Sequence, residues 1–204
     1  AFLGKYAYGA LLLFILSMGM DEFYAIVTKG DIEPQKGVGQ VLGIALFGGA
    51  YEIFRRLYDG VEMCGGQYWF IGAIILLVLF VPFIIEIFRA KEHPLRNIAA
   101  TIMGVIYVAL PMSLMLFIPL LLNGGVWRAE AFLFYLFIVW GNDVFAYLVG
   151  ITLGRHKLCE RLSPKKSWEG FVGGVLGSLA VGALAACVLE ESYVVWLGLA
   201  LIVS

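Results

Sequence analysis

Asp143 is the only charged residue between Leu133 and Gly150. A carboxylate in the middle of a membrane-length apolar run costs about 2.5–3.5 kcal/mol to insert, so it normally faces a polar interior and serves an ion or a reaction. Its plainer role would be a pair with a lysine or tyrosine that holds helices in register. A second feature follows at once: the basic stretch Arg155-His156-Lys157-Leu158-Cys159-Glu160-Arg161-Leu162-Ser163-Pro164-Lys165-Lys166-Ser167-Trp168-Glu169-Gly170. Cations beside a membrane serve as a topology signal or a patch for anionic lipid heads. Here they also precede a helix start. Ser167 suits an N-cap, and the free backbone N–H groups of a first turn at Glu169 and Gly170, with Lys165 and Lys166 alongside, make a phosphate site. Lysines offer point charge to a polyphosphate rather than fork geometry. A second register, with Ser163 as N-cap and Pro164 at the first helical position, fits equally well.

These residues need helices to hold them. Of 204 residues, 62% are apolar and 14% charged, against roughly 45–50% and about 25% in soluble domains. A mean hydropathy of +0.93 leaves too little polar surface to cover one soluble globule. Disordered chains are charged and poor in aromatics, so disorder is excluded. Cys64, Cys159 and Cys187 are too scattered for a disulfide framework. His93 and His156 lack a second ligand at zinc spacing. A net charge of −1 gives no reason to expect nucleic acid.

The fold class is therefore an all-α polytopic transmembrane helix bundle, one multi-pass membrane domain over residues 1–204. A span takes about 20 apolar residues. Six are read: Phe2–Met20 (a retained helix, not a signal peptide), Val38–Leu57, Gln67–Ile85, Asn97–Trp127 broken at Pro111 and Pro119, Ala129–Gly154 and Trp168–Leu189. Ser192–Ser204 starts a seventh, which suggests a fragment of a longer protein. Asp21-Glu22-Phe23-Tyr24 reads as an interfacial boundary, and Glu52 and Glu86 as span-end groups that are paired or solvated. Asn142, Ala146, Gly150 and Gly154 form one small-residue stripe, and Gly170, Gly174, Ser178 and Gly182 another, both suited to close helix packing. Alternate loops hold ten lysines and arginines on one side and three, or four with Lys5, on the other. The richer side, which includes the basic loop 155–167, is expected to be cytoplasmic. Arg55-Arg56 is the pair that fits this count worst.

Asn142-Asp143-Val144-Phe145-Ala146-Tyr147, Gly150, Gly154-Arg155, Ser163-Pro164-Lys165-Lys166-Ser167-Trp168-Glu169-Gly170 and Gly173-Gly174, in that order, resemble the phosphatidate cytidylyltransferase (CDP-diacylglycerol synthase) family. The resemblance implies transfer of CMP from CTP to phosphatidic acid, giving CDP-diacylglycerol and pyrophosphate in phospholipid biosynthesis. It implies Lys165 and Lys166 as catalytic groups against the CTP phosphates, with Asp143 orienting a lysine or joining an ion site. Asn142, Ser163, Ser167, Glu169 and Gly170 are implied in substrate binding, and Arg155 and Lys157 in holding the lipid phosphate. Mg²⁺ is the implied cofactor, a homodimer an implied assembly, and the bacterial inner (plasma) membrane the implied location. The family's further signature is a Lys-Arg and Lys-Asp stretch, then His-Gly-Gly and Asp-Arg-x-x-Asp. It does not occur up to Ser204. The main metal carboxylates are expected there, and the chain alone is expected to be inactive. Two alternatives share part of the pattern: a CTP-dependent polyprenol kinase-like enzyme, and a non-enzymatic transporter or scaffold bundle using Asp143 as a relay. No internal repeat of the kind transporters carry is visible.

Overall fold

A computed structural model describes residues 4–28, 31–61, 65–121, 126–159 and 163–204. Nearly all of them are helical, and six stretches are long and apolar enough to cross a membrane: Lys5–Val27, Lys36–Tyr58, Gly72–Arg89, Pro94–Leu121, Ala129–Leu153 and Trp168–Leu189. The chain forms two compact units, residues 1–117 and 118–204.

The first unit contains α1 (Lys5–Val27), α2 (Lys36–Tyr58), α3 (Gly65–Arg89), α4 (Pro94–Gly104) and α5 (Leu110–Met115). Helix α1 buries Tyr8, Leu12, Leu16, Met20 and Tyr24, one residue every four and so one face. It runs a full turn and more past the expected boundary at Met20. Tyr24, at the boundary read as Asp21-Glu22-Phe23-Tyr24, packs inward: its hydroxyl, buried, donates to the Thr101 carbonyl at 2.8 Å. Helix α3 buries Ile74, Val78, Pro82 and Glu86, one face, and most of its other described residues are exposed. Between α4 and α5 the helix widens into a π turn at Val105–Ala109. Pro111 stands two residues on; it has no N–H, and its ring crowds the carbonyl four residues back, within the wider turn, which relieves the clash.

A buried polar knot ties one end of this unit together. Glu86 Oε2 accepts from Gln35 Nε2 at 2.6 Å and from Arg89 NH1 at 2.7 Å, and Oε1 accepts from Asn97 Nδ2 at 2.7 Å. Asn97 Oδ1 and Thr101 Oγ1 accept from the backbone N–H groups of Glu33 and Gln35, both at 2.8 Å. Glu86 is thus the paired rather than the solvated group. At the opposite end Glu52 binds both Arg55 (2.8 Å) and Arg56 (2.9 Å), and Lys5 pairs with Asp59. The awkward arginine pair has a local job.

The second unit contains α6 (Ile118–Leu121), α7 (Ala129–Leu153), strands β1 (Lys157–Cys159) and β2 (Ser163–Ser167), α8 (Trp168–Leu189) and α9 (Tyr193–Val203). Its core is Ala131, Ile138, Ala185, Ala186, Leu189, Trp196 and Ala200. Helices α7 and α8 lie against each other along glycines. A Cβ at Gly170 would sit 2.8 Å from the Ala146 carbonyl, and one at Gly174 3.0 Å from Ala146 Cβ. Ser178 and Gly182 instead face α9. Ser178 Oγ lies 2.6 Å from Ser204 Oγ, and a Cβ at Gly182 would meet the Trp196 carbonyl at 2.9 Å. Four-residue steps advance 40° beyond a full turn each, so a stripe that starts on one partner drifts onto the next.

Candidate functional site

The basic segment is not an irregular loop. Strands β1 and β2 pair antiparallel, with Lys157 opposite Ser167 and Cys159 opposite Ser163, and an irregularity between. Both strands of such a ribbon are edges, so Pro164 costs no ladder bond that a third strand would need. The base of the hairpin is closed from α8. The Trp168 N–H donates to the His156 carbonyl at 2.9 Å. The Glu169 carboxylate accepts from the Arg155 and His156 N–H groups at 3.1 and 3.2 Å and lies 2.6 Å from His156 Nδ1.

Ser167 settles the register. It is extended (φ −122°, ψ 156°), is buried, and its Oγ accepts from the Gly170 N–H at 3.2 Å. Ser167 is therefore the N-cap of α8, and Ser163 with Pro164 belongs to β2. The hydroxyl also lies against α7, 3.5 Å from where a Cβ of Gly150 would be. One serine caps the helix and fills the seam.

The sequence-predicted residues thus fall into three sets. Arg155, Lys157 and Lys166 are exposed on the hairpin and form no ion pair with a described residue. Lys165 lies on the same strand as Lys166 and Ser163. Ser167, Glu169 and Gly170 build the platform: cap, clip and close contact. Asn142 sits in the helix seam, where a Cβ on Gly174 would be 2.5 Å from its Oδ1. The structure therefore brings the cations, Ser167, Glu169 and Gly170 together and leaves Asn142 and Asp143 apart from them. Asp143 is eleven residues before Gly154 on the same helix, roughly 16 Å along its axis. It is exposed and has no partner among the described residues. The interior position expected beside the small-residue stripe is not what the structure shows. A step of one residue turns the side chain about 100° away from the seam.

Among the described residues no group of three His, Cys, Asp or Glu side chains is placed to hold a metal ion. Glu169 already spends its lone pairs on the hairpin, and Asp143 is a single carboxylate. The described residues do not by themselves form a magnesium site. What the sequence reading missed is the clip role of Glu169. Its signal was a carboxylate two residues after a serine cap, set to accept from the N–H groups of the two residues that follow the end of α7 at Gly154.

The chemistry open to this arrangement is binding of a polyanion. Three exposed cations stand on or beside a hairpin that leads into a capped helix start, and the hairpin is fixed at its base. A family model described as the cytidylyltransferase family matches residues 1–204. The phosphatidate cytidylyltransferase of Synechocystis sp. is 27% identical over 219 residues, covering 94% of this chain and 68% of that protein. That of Rickettsia bellii is 35% identical over 88 residues, 43% of this chain and 36% of the relative. Phosphatidate cytidylyltransferase 1 of Homo sapiens is 44% identical over 71 residues, 35% of this chain and 14% of the relative. The chain matches about a third of the Rickettsia bellii protein's length and about two thirds of the Synechocystis protein's.

Proposed function

Since the chain belongs to the cytidylyltransferase family, we propose that it is the membrane part of a phosphatidate cytidylyltransferase whose hairpin holds the phosphates of CTP. In that reaction a phosphate oxygen of phosphatidic acid forms a bond to the α-phosphorus of CTP, the bond from that phosphorus to the β-phosphate oxygen breaks, and pyrophosphate leaves. Two polyanions must meet in line, so cations held in place before they arrive lower the barrier. The observation that carries this reading is the hairpin: Lys166, Lys157 and Arg155 exposed and without ion pairs to any described residue, on a hairpin clamped by Glu169 to a Ser167-capped helix. Lys165 and Lys166 are assigned to the triphosphate, and Arg155 and Lys157 to the lipid phosphate at the interface. Magnesium is part of the proposal through the family and would need carboxylates besides Asp143 and Glu169. The hairpin is assigned to the cytoplasmic side of a bacterial inner membrane, and a homodimer is the proposed assembly.

The test is formation of CDP-diacylglycerol from CTP and phosphatidic acid by a full-length enzyme containing this chain. Lys166→Ala and Lys165→Ala are each expected to reduce kcat/KM by about 10–10³-fold. Arg96→Ala, a cation of the first unit, is expected to leave it near wild type. Equal rates for Lys165→Ala/Lys166→Ala and wild type would reduce the hairpin to a topology signal.

A further inference from the structure

His156 stands just past the end of α7 at Leu153, and α8 begins at Trp168. Both helices are long and apolar enough to span a membrane, so the imidazole lies where a span ends, the level of lipid phosphates. Its Nδ1 is 2.6 Å from Glu169 Oε1. An ionised carboxylate only accepts, so Nδ1 carries a hydrogen and donates it. Glu169 is itself held: Oε2 accepts from the Arg155 N–H at 3.1 Å and from the His156 N–H at 3.2 Å. The His156 carbonyl accepts from the Trp168 N–H at 2.9 Å. The backbone on both sides of the ring and one ring nitrogen are thus tied to the start of α8. In the neutral ring the other nitrogen, Nε2, is then an acceptor with a free lone pair. No described residue bonds to it, and the side chain is 79% exposed. The charged groups about the ring are Glu169 from α8, Arg155 and Lys157 beside it in the chain, and Lys166 on β2. Two backbone N–H groups on Glu169 are enough to close the hairpin. The ring adds something that closure does not require, a proton acceptor of fixed tautomer turned to solvent among cations.

We propose that His156 is a general base for the phosphomonoester of phosphatidic acid, oriented by Glu169. The inference rests on the reading of the hairpin as the site of cytidylyl transfer and adds a proton acceptor to its cations. Arg155 and Lys157, assigned to the lipid phosphate, sit on either side of His156 in the chain, so the monoester they hold is brought to the same place. A phosphomonoester keeps its second proton until about pH 6 or above, and the dianion left when that proton goes is the stronger nucleophile. In the step, the P–OH proton of phosphatidic acid passes to His156 Nε2. An oxygen of the resulting dianion forms the bond to the α-phosphorus of CTP. The bond from that phosphorus to the β-phosphate oxygen breaks, and its electron pair leaves with pyrophosphate. Glu169 does not take the proton; it keeps its bond to Nδ1 and stabilises the imidazolium. The exposed ring then gives the proton up to water.

The test uses a full-length enzyme containing this chain, with phosphatidic acid in mixed micelles and CTP at saturation. His156→Asn can keep the bond to Glu169 through its amide but has no basic nitrogen. It is expected to melt in detergent as wild type does, because the side chain it replaces is exposed. Its kcat is expected to fall about 10²-fold at about pH 6.5, with the KM for CTP within about twofold of wild type. The deficit is expected to shrink by about pH 8.5, where the lipid phosphate arrives as its dianion. His156→Ala is expected to lose as much and to regain activity when imidazole is added, which a hairpin that has merely loosened does not do. A His156→Asn enzyme as fast as wild type at the lower pH, a loss of one size at every pH, or a His156→Ala enzyme indifferent to imidazole would overturn the proposal. The lysines separate it from the reading beneath it. If Lys166→Ala is slow and His156→Asn is not, the base is lost and the hairpin keeps its phosphate role. If Lys165→Ala/Lys166→Ala is as fast as wild type, the hairpin reading falls and His156 falls with it.

Discussion

Glu169 and Asp143 were both legible as acidic residues in unusual places, and the structure gives them opposite circumstances. Glu169 spends its oxygens on the N–H groups of Arg155 and His156. The sequence placed it correctly in the first turn of α8, but a role in substrate binding could not be told from a role in closing the hairpin without knowing what lay across from it. Ser167 was legible as one of two caps, and the Gly170 N–H donating to its Oγ, with Ser163 taken up in β2, decides between them. Ser167→Ala is expected to cost about 1 kcal/mol, which lowers the melting temperature in detergent by about 2–4 °C in a chain of this size. An unchanged melting temperature would mean that the seam, not the cap, holds the start of α8. Asp143 has no described partner, so removing its charge strands nothing. Asp143→Asn is therefore expected to melt within about 0.5 kcal/mol of wild type, as exposed substitutions do. If its charge serves cytidylyl transfer, the rate should still fall by roughly 10²-fold. A stable and fully active Asp143→Asn enzyme would remove it from the reaction.

Helix α8 was read from the sequence with the bounds it has, Trp168–Leu189, because a serine cap marks its start and the charge-free run from Gly170 stops at Glu190. The small-residue stripes were legible as well, though only half of the second one packs where a straight stripe would. Gly170 and Gly174 meet α7, while Ser178 and Gly182 have rotated onto α9. The hairpin and the π turn were not legible. A three-residue strand carries too little pattern, and a π turn depends on how the chain relieves Pro111 rather than on any residue type. The polar knot of Gln35, Glu86, Asn97 and Thr101 also escaped, since its members come from three separate segments. The seam makes a prediction that needs two glycines. Gly170→Ala forces a methyl group to 2.8 Å from a backbone carbonyl and is expected to destabilise by about 1–3 kcal/mol. Gly198 lies in α9 with nothing within 4 Å of its would-be Cβ. Gly198→Ala is expected to stabilise by up to about 1 kcal/mol through helix propensity. Thermal unfolding of both in the same detergent checks the pair, and equal shifts would mean that α7 and α8 can part to admit a methyl group.

The whole chain is a multi-pass membrane protein, and the direction proposed for it through the bilayer rests on where its cations are concentrated. In the first unit, the end formed by the α2 start and the α3 close carries Lys36, Arg89, Lys91 and Arg96. At the other end Lys5, Arg55 and Arg56 are all bound to Asp59 or Glu52 on α2. In the second unit, the hairpin end carries Arg155, Lys157, Lys165 and Lys166. The opposite end has Arg128, whose NH1 donates to the Leu189 carbonyl at 2.8 Å. The proposal that the hairpin is cytoplasmic rests on the positive-inside rule, applied to each unit by itself. Native cysteines report on this directly. Cys159 is on β1, and Cys64, outside the described residues, lies in the segment between α2 and α3. Cys187 is exposed two residues from the end of α8 and is best replaced by serine, so that it does not add signal. In intact cells a membrane-impermeant maleimide is expected to label Cys64 and to reach Cys159 only after permeabilisation. Labelling of Cys159 from outside would invert the chain, place the hairpin on the side without CTP, and remove the assignment of Lys165 and Lys166 to its phosphates.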